Sequence, residues 1–126
     1  MNRRARVLII DDEPVMQRLM VRALRDHETV VKDDAREALA LLAGGEQFDL
    51  ILCDLNLPGM NGMQFQAALT PAQADRLLFV TGGALTDESR QFLSRTGVRV
   101  LTKPVEMKQL RAAVTAMLER QSPGKE

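Results

Sequence analysis

The chain has no tryptophan, no tyrosine, a single cysteine and a single histidine. With Cys53 alone it cannot form an internal disulfide, and the position of this residue in the apolar segment LILC predicts a buried small hydrophobic side chain rather than a reactive thiol. The lack of Trp and Tyr also argues against a flavin-binding domain. These absences leave acidic, basic and hydroxyl side chains as the candidates for chemistry.

Neither sign of charge prevails, since 17 Lys and Arg residues balance 17 Asp and Glu residues. Net charge therefore gives no attraction to nucleic acid or to an anionic membrane, and no basic helix suggests DNA binding. Long hydrophobic runs are missing as well, because the run near the start, VLII, is too short for a signal peptide or a membrane span. We expect a cytoplasmic protein, or a cytoplasmic part of a larger one, that binds neither DNA nor membranes.

The length of 126 residues suits one hydrophobic core and is short for two. No low-complexity segment or interdomain linker interrupts the pattern. We therefore expect one domain over residues 1–126, with a core from about residue 5 to residue 120 and a flexible tail, QSPGKE, over residues 121–126.

Short apolar segments alternate with segments of helical periodicity. This alternation predicts five βα units, and hence an α/β domain with a parallel sheet and helices on both faces. Arg99, inside the last apolar segment, suits an edge strand better than a central one. The predicted strands are VLII, the apolar part of ETVVKDD, Phe48–Cys53, LLFV and VRVL; the helices begin near Pro14, Asp34, Met63, Thr86 and Met107, with a break at Pro71.

Four of the predicted strands run directly into residues that could handle a phosphoryl group. The carboxyl ends of parallel strands meet at one edge of a sheet, where open α/β sheets bind their ligands, so we expect these side chains to lie together. They are Asp11 and Asp12 after VLII, Asp54 after LILC, Thr81 after LLFV, and Lys103 after VRVLT.

Asp11 and Asp12 are adjacent acids at the end of a buried strand, where like charges repel unless a cation compensates. Their oxygen ligands suit Mg²⁺, which takes one or two carboxylates and shares its other positions with water and phosphate. The other interpretation is that one of the two only caps the helix that begins at Pro14.

Asp54 could be a metal ligand, a general base or a nucleophile. As a nucleophile on phosphorus it would form an acyl phosphate, and that chemistry needs a metal and a cation to neutralise the incoming charge. Lys103 could supply the ammonium, while the Thr81 hydroxyl and the backbone amides of Gly82 and Gly83 could donate to phosphoryl oxygens. Singly these are weak signals, but their joint placement at strand ends favours a phosphoryl site.

This pattern of paired acids, Asp, Thr and Lys-Pro after successive strands resembles the receiver domain of two-component response regulators. The match extends from Arg6 to about Arg120. It implies a flavodoxin-like, doubly wound (βα)5 domain whose five-stranded parallel sheet has the strand order 2-1-3-4-5. The segments LLFV and TGGALTDES resemble the receivers of hybrid histidine kinases more than those of transcription factors.

The resemblance implies a metal site in which Asp12 binds Mg²⁺, or Mn²⁺ in its place, directly. Asp11 would contribute mainly through water. Asp54 and the backbone carbonyl of Asn56 would complete the protein ligands.

The resemblance also implies the phosphoryl site itself. Asp54 would be the phosphoacceptor, and Thr81 the switch hydroxyl that moves towards the phosphoryl group. Lys103 would pair with Asp54 or its phosphate, and the backbone of Gly82 would bind the phosphate. The Lys103–Pro104 peptide bond would be cis.

Val100 departs from the family pattern. Three residues before the lysine, receivers usually carry a Tyr or Phe whose ring moves inward on activation, and Val has no ring to move. Phosphorylation should survive this change, whereas the usual coupling of Thr81 to an aromatic side chain cannot operate.

The function implied is a phosphoryl-accepting signalling switch. A histidine kinase or a histidine phosphotransfer protein would donate to Asp54, and an unidentified downstream protein would recognise the result by contact. The domain would not be a conventional enzyme, although it would catalyse its own phosphotransfer and slow dephosphorylation. His27, expected to face solvent after the first helix, gives no reason to assign the chain its own phosphohistidine.

Two other functions remain open on the same residues. An adaptor with the receiver fold could act without phosphorylation; Val100 favours it and the complete set of site residues opposes it. A phosphatase of the haloacid dehalogenase type also uses an Asp nucleophile after a strand, but it usually carries a second Asp two residues later, where this chain has Asn56.

Overall fold

The computed structural model describes residues 4–83 and 85–121, which form five strands and six helices. All strand pairs are parallel, and the sheet has the order β2-β1-β3-β4-β5. The predicted flavodoxin-like sheet is confirmed in both direction and order. The strands are β1 (Arg6–Ile10), β2 (Glu28–Lys32), β3 (Leu50–Cys53), β4 (Leu77–Thr81) and β5 (Arg99–Thr102).

The helices connect successive strands. One more is present than the periodicity predicts, because the predicted break at Pro71 is the start of a four-residue helix whose N-cap, Thr70, accepts a hydrogen bond from the Gln73 amide. The helices are α1 (Pro14–Ala23), α2 (Ala35–Ala43), α3 (Gly62–Ala67), α4 (Pro71–Ala74), α5 (Asp87–Thr96) and α6 (Met107–Gln121).

The sheet separates two apolar cores, because successive side chains of a strand point to opposite faces. One core packs β1, β3 and β4 against α1 and α6 and contains Ile9 and Leu52. The other packs the same strands against α2, α3 and α5 and contains Ile10 and Cys53. The central strands β3 and β4 are buried on both faces, which explains their continuous apolar sequences, LILC and LLFV.

The last strand lies at the edge of the sheet. Within the described residues, β5 pairs with β4 alone, and Arg99 is exposed, as its charge predicts. Helix α6 extends to Gln121, the first residue of the expected tail, and the remainder of that tail lies outside the described residues. None of the described helices combines the length and the apolar character that crossing a membrane requires.

Two predictions about individual residues were wrong. Phe48 was expected in β3, but the strand begins at Leu50; Phe48 is buried beneath the Arg6 guanidinium, 4.5 Å from the centre of its ring. His27 was expected to face solvent, but it is half-buried and its Nδ1 accepts a 2.9 Å hydrogen bond from the Ala5 amide. Both residues are held by contacts that are distant in sequence.

Candidate functional site

The candidate site lies at the carboxyl edge of the sheet, where the ladder of backbone hydrogen bonds continues past the strand ends. The amide of Asp54 donates to the carbonyl of Ile10 over 3.0 Å, and the amide of Lys103 donates to the carbonyl of Thr81 over 2.7 Å. The functional side chains are therefore fixed by the sheet itself rather than by mobile loops.

Three carboxylates meet at this edge, those of Asp11, Asp12 and Asp54. One oxygen from each lies within 4.8 Å of the others, so the group could hold a metal ion. Asp11 and Asp54 are buried, with 0% and 6% of their surfaces exposed, while Asp12 is exposed. Each buried acid has an oxygen held by a backbone amide two residues further on: Asp11 Oδ1 by Glu13 over 2.8 Å, and Asp54 Oδ1 by Asn56 over 3.0 Å.

Lys103 supplies the positive charge between the buried acids. Its Nζ lies 3.0 Å from Asp11 Oδ2, 3.0 Å from Asp54 Oδ2 and 2.8 Å from Glu13 Oε1. The lysine side chain is only 13% exposed, so these ion pairs are less screened by water than a surface pair. The ammonium is thus already in contact with the candidate phosphoacceptor.

Three acids surround the one lysine, and burial and hydrogen bonding shift the pKa values of Asp11 and Lys103. Burial raises the pKa of Asp11 above its ordinary value, and the hydrogen bonds from the Glu13 amide and Lys103 oppose that rise only in part. Burial alone would lower the pKa of Lys103, but hydrogen bonds to Glu13, Asp11 and Asp54 raise it above its ordinary value. A site with excess buried negative charge is suited to bind a cation.

Thr81 ends β4 with its side chain 1% exposed. Its Oγ1 accepts a 3.1 Å hydrogen bond from Asn56 Nδ2, which also donates to the Gly82 carbonyl over 3.2 Å. The Asn56 side chain therefore bridges the loop after β3 to the end of β4 and holds the hydroxyl of Thr81.

The remaining predicted site residues lie around this centre. Gly82 follows β4 beside the side chain of Lys103, and Gly83 has a φ of +76°, a conformation that favours glycine. The Lys103–Pro104 peptide bond is cis. Val100 is half-buried on β5, opposite Phe79 of β4, and it packs against the core on the α5 side of the sheet.

Glu13 and the side chain of Asn56 belong to the site although no sequence motif assigned them a role. The sequence signal that could have identified Glu13 is its position directly after the paired acids, as the third carboxylate of the segment DDE. The contact between Asn56 and Thr81 has no signal in the sequence, because it joins loops 25 residues apart. Cys53, by contrast, is buried as predicted, and burial raises the pKa of its thiol, so it is not a reactive group.

Comparison with known proteins agrees with this geometry. The sequence profile described as "Response regulator receiver domain" matches residues 7–115. The transcriptional regulatory protein TcrA of Mycobacterium tuberculosis is 33% identical over 123 residues, which cover 91% of this chain and 46% of that protein. The sensor protein GacS of Pseudomonas syringae pv. syringae is 31% identical over 127 residues, which cover 90% of this chain and 13% of that protein. The chain thus spans less than half the length of these relatives.

Solved structures show the same fold over nearly the whole chain. A CheY-like receiver domain protein from Methanospirillum hungatei JF-1 has a TM-score of 0.83 at 27% identity, with 94% of this chain and 97% of that chain covered. The chemotaxis protein CheY4 of Vibrio cholerae has a TM-score of 0.76 at 28% identity, with 91% and 99% covered. On the family match, the relatives and the fold together, the chain belongs to the response regulator receiver domain family.

Proposed function

We propose that the domain is a phosphoryl-accepting switch in which Asp54 takes a phosphoryl group from a phosphohistidine donor. The observation that carries this proposal is the environment of Asp54. The residue is buried, its carboxylate lies with those of Asp11 and Asp12 in one acidic cluster, and one carboxylate oxygen is in direct contact with the Lys103 ammonium. Such an arrangement supplies a nucleophile together with the charges that an acyl phosphate requires.

A divalent metal fits the acidic cluster. The donors are oxygens, two of the three acids are buried, and one lysine cannot offset all of their charge, so Mg²⁺ or Mn²⁺ suits the site better than a softer metal. Asp12, Asp54 and the backbone carbonyl of Asn56 would bind it directly, and Asp11 mainly through water. When bound, the metal neutralises charge on the phosphoryl oxygens.

The transfer reaction exchanges one bond to phosphorus for another. An oxygen of Asp54 attacks the phosphorus atom as the bond from phosphorus to the donor's imidazole nitrogen breaks, and that nitrogen leaves with the bonding electron pair. The product is an aspartyl phosphate, and a proton taken up from water by the donor's imidazole ring leaves the donor histidine neutral. Hydrolysis by water then returns the carboxylate and inorganic phosphate.

Lys103 and Thr81 act on the transferred group. The Lys103 ammonium already lies 3.0 Å from the acceptor carboxylate and would donate one of its hydrogen bonds to a phosphoryl oxygen. The Thr81 hydroxyl and the Gly82 amide would donate to the other phosphoryl oxygens. These groups support phosphotransfer and slow dephosphorylation by the domain itself, without a separate enzyme active site.

The partners proposed are a histidine kinase or histidine phosphotransfer protein as donor and a downstream protein that recognises the phosphorylated form. Two-component signalling relatives, including sensor kinases, support the donor class. We assign residues 1–126 to this one domain, acting in the cytoplasm, with no DNA or membrane binding of its own. The alternative is a phosphorylation-independent adaptor, for which the single argument is the missing aromatic ring at Val100.

Incubation with acetyl phosphate and Mg²⁺, followed by intact mass measurement, tests the proposal. We expect a single phosphoryl adduct on the wild type, no adduct on Asp54→Asn, and none after removal of divalent metal by chelation. Asp26→Asn, which removes an exposed acid distant from the site, is the matched control and should be modified like the wild type. Absence of the adduct at every Mg²⁺ concentration would favour the adaptor.

A further inference from the structure

Glu13 occupies the N-cap position of α1, yet among the described residues its side chain accepts no capping hydrogen bond. The free amides of the first helical turn, at the positive end of the helix dipole, offer favourable partners for a carboxylate at this position. The carboxylate of Glu13 contacts Lys103 instead, and its 2.8 Å distance is the shortest of the three that the ammonium makes. The side chain is therefore used for the phosphoryl site rather than for the helix.

Lys103 has no donor left for a phosphoryl oxygen. An ammonium carries three N–H groups, and the three carboxylates of Asp11, Glu13 and Asp54 accept one each. A phosphoryl group that binds Lys103 must displace one of them. The exposure of the three acids decides which one is displaced.

While the phosphoryl group approaches and no bond to Asp54 has formed, Asp11 and Asp54 are both carboxylates with side chains 1% and 8% exposed. Either would be left as a buried charge if it lost the lysine at that stage. The side chain of Glu13 is 58% exposed, and water can replace its ion pair at little cost. Glu13 is thus the ligand that Lys103 can exchange most easily.

We propose that Glu13 is a positioning residue for Lys103, which holds the ammonium over the acids of the unphosphorylated domain and releases it to the incoming phosphoryl group. This inference rests on the function proposed above. It makes Glu13 a competitor of the phosphoryl group for the same N–H donor and, at the same time, a source of negative charge that favours metal binding.

Glu13→Gln should therefore change the phosphorylation rate and the Mg²⁺ affinity in opposite directions. Loss of the competing charge frees Lys103, so phosphorylation by acetyl phosphate at saturating Mg²⁺ should be faster by about two- to fivefold, the factor expected for one exposed ion pair. Loss of a nearby negative charge should weaken Mg²⁺ binding to the unphosphorylated domain by about the same factor. A residue that only supported the fold would lower both quantities when replaced.

The test measures Mg²⁺ affinity by calorimetry without any phosphodonor, and the phosphorylation rate by mass spectrometry, for the wild type, Glu13→Gln and Glu119→Gln. The last variant removes an exposed charge from α6 and should match the wild type in both measurements. Thermal unfolding confirms that the variants are folded. Faster phosphorylation with weaker Mg²⁺ binding in Glu13→Gln alone supports the inference.

An unchanged or slower phosphorylation rate in Glu13→Gln, when the wild type forms the adduct, overturns the role of Glu13 and leaves the proposed function intact. No adduct on the wild type overturns both.

Discussion

The side-chain amide of Asn56 donates a 3.1 Å hydrogen bond to the hydroxyl of Thr81, which itself donates to the Gly82 carbonyl over 3.4 Å. The same amide reaches the Gly82 carbonyl over 3.2 Å, so the Thr81 hydroxyl is fixed on one side and buried on the others. Movement of Thr81 towards a phosphoryl group on Asp54 would break this hydrogen bond. In the proposed switch, the side chain of Asn56 would therefore oppose activation.

Asn56→Ala removes that opposition. A hydrogen bond between neutral groups contributes about 1 kcal/mol, so the population of Thr81 directed at Asp54 should rise by about fivefold. We expect the methyl resonance of Thr81 in the unphosphorylated variant to shift towards its position in the phosphorylated wild type. The backbone amide of Asn56 that holds Asp54 is kept in the variant. An unchanged Thr81 resonance would remove Asn56 from the switch.

Replacing Lys103 by Met tests how much the fold depends on the ion pairs. The buried carboxylates of Asp11 and Asp54 lose their shared cation, so without Mg²⁺ the free energy of unfolding should fall by about 1–3 kcal/mol. Mg²⁺ should stabilise this variant more than the wild type, because the ion then supplies the only positive charge among the acids. Denaturant unfolding with and without Mg²⁺ measures both effects.

The control for this variant is Lys108→Met on the exposed face of α6. It also removes one positive charge, but its unfolding free energy should stay within about 0.5 kcal/mol of the wild type. If both variants lost the same stability, the effect would come from net charge and not from the site.

Asp11→Asn should stabilise the metal-free domain at neutral pH. The folded-state pKa of Asp11 lies above the ordinary value of 3.8, so the folded domain binds this proton more tightly than the unfolded chain. The resulting stability is fully present below the unfolded pKa and is lost as the pH rises through the folded pKa. Asparagine remains neutral and loses nothing over this range, so the free energy of unfolding of the variant should exceed that of the wild type at neutral pH.

Unfolding curves from acidic to neutral pH, recorded without Mg²⁺, measure this difference. The stability of the wild type relative to Asp11→Asn should decline as the pH rises. A constant difference across the range would mean that Asp11 titrates in the folded domain as it does in the unfolded chain.

The sequence predicted the sheet well because its signals are local. A strand buried on both faces must be apolar throughout, as LILC and LLFV are, and each of these segments ends at a polar residue. Arg99 similarly predicted the edge position of β5, because a charged residue is poorly tolerated in a central strand. Parallel pairing then brings the strand ends together without further information.

The contacts that were missed all join distant parts of the chain. The apolar side chain of Phe48 predicts burial, but it does not indicate whether the residue lies in a strand or under the Arg6 guanidinium. The acceptor role of His27 depends on the free amide of Ala5, and the contact of Glu13 with Lys103 spans 90 residues. Periodicity cannot report such pairings, because they arise only when the sheet has formed.

Val100→Tyr tests whether a ring at this position restores the missing coupling. Val100 is half-buried on an edge strand beside Phe79, so the larger side chain should cost no more than the roughly 1–3 kcal/mol typical of overpacking. The chain has no Trp and no Tyr, which makes the introduced ring the sole source of tyrosine fluorescence. We expect this emission to change on addition of acetyl phosphate and Mg²⁺, and to stay constant when Thr81→Ala is added. A constant emission despite complete phosphorylation of Val100→Tyr would show that movement of Thr81 is not transmitted to β5.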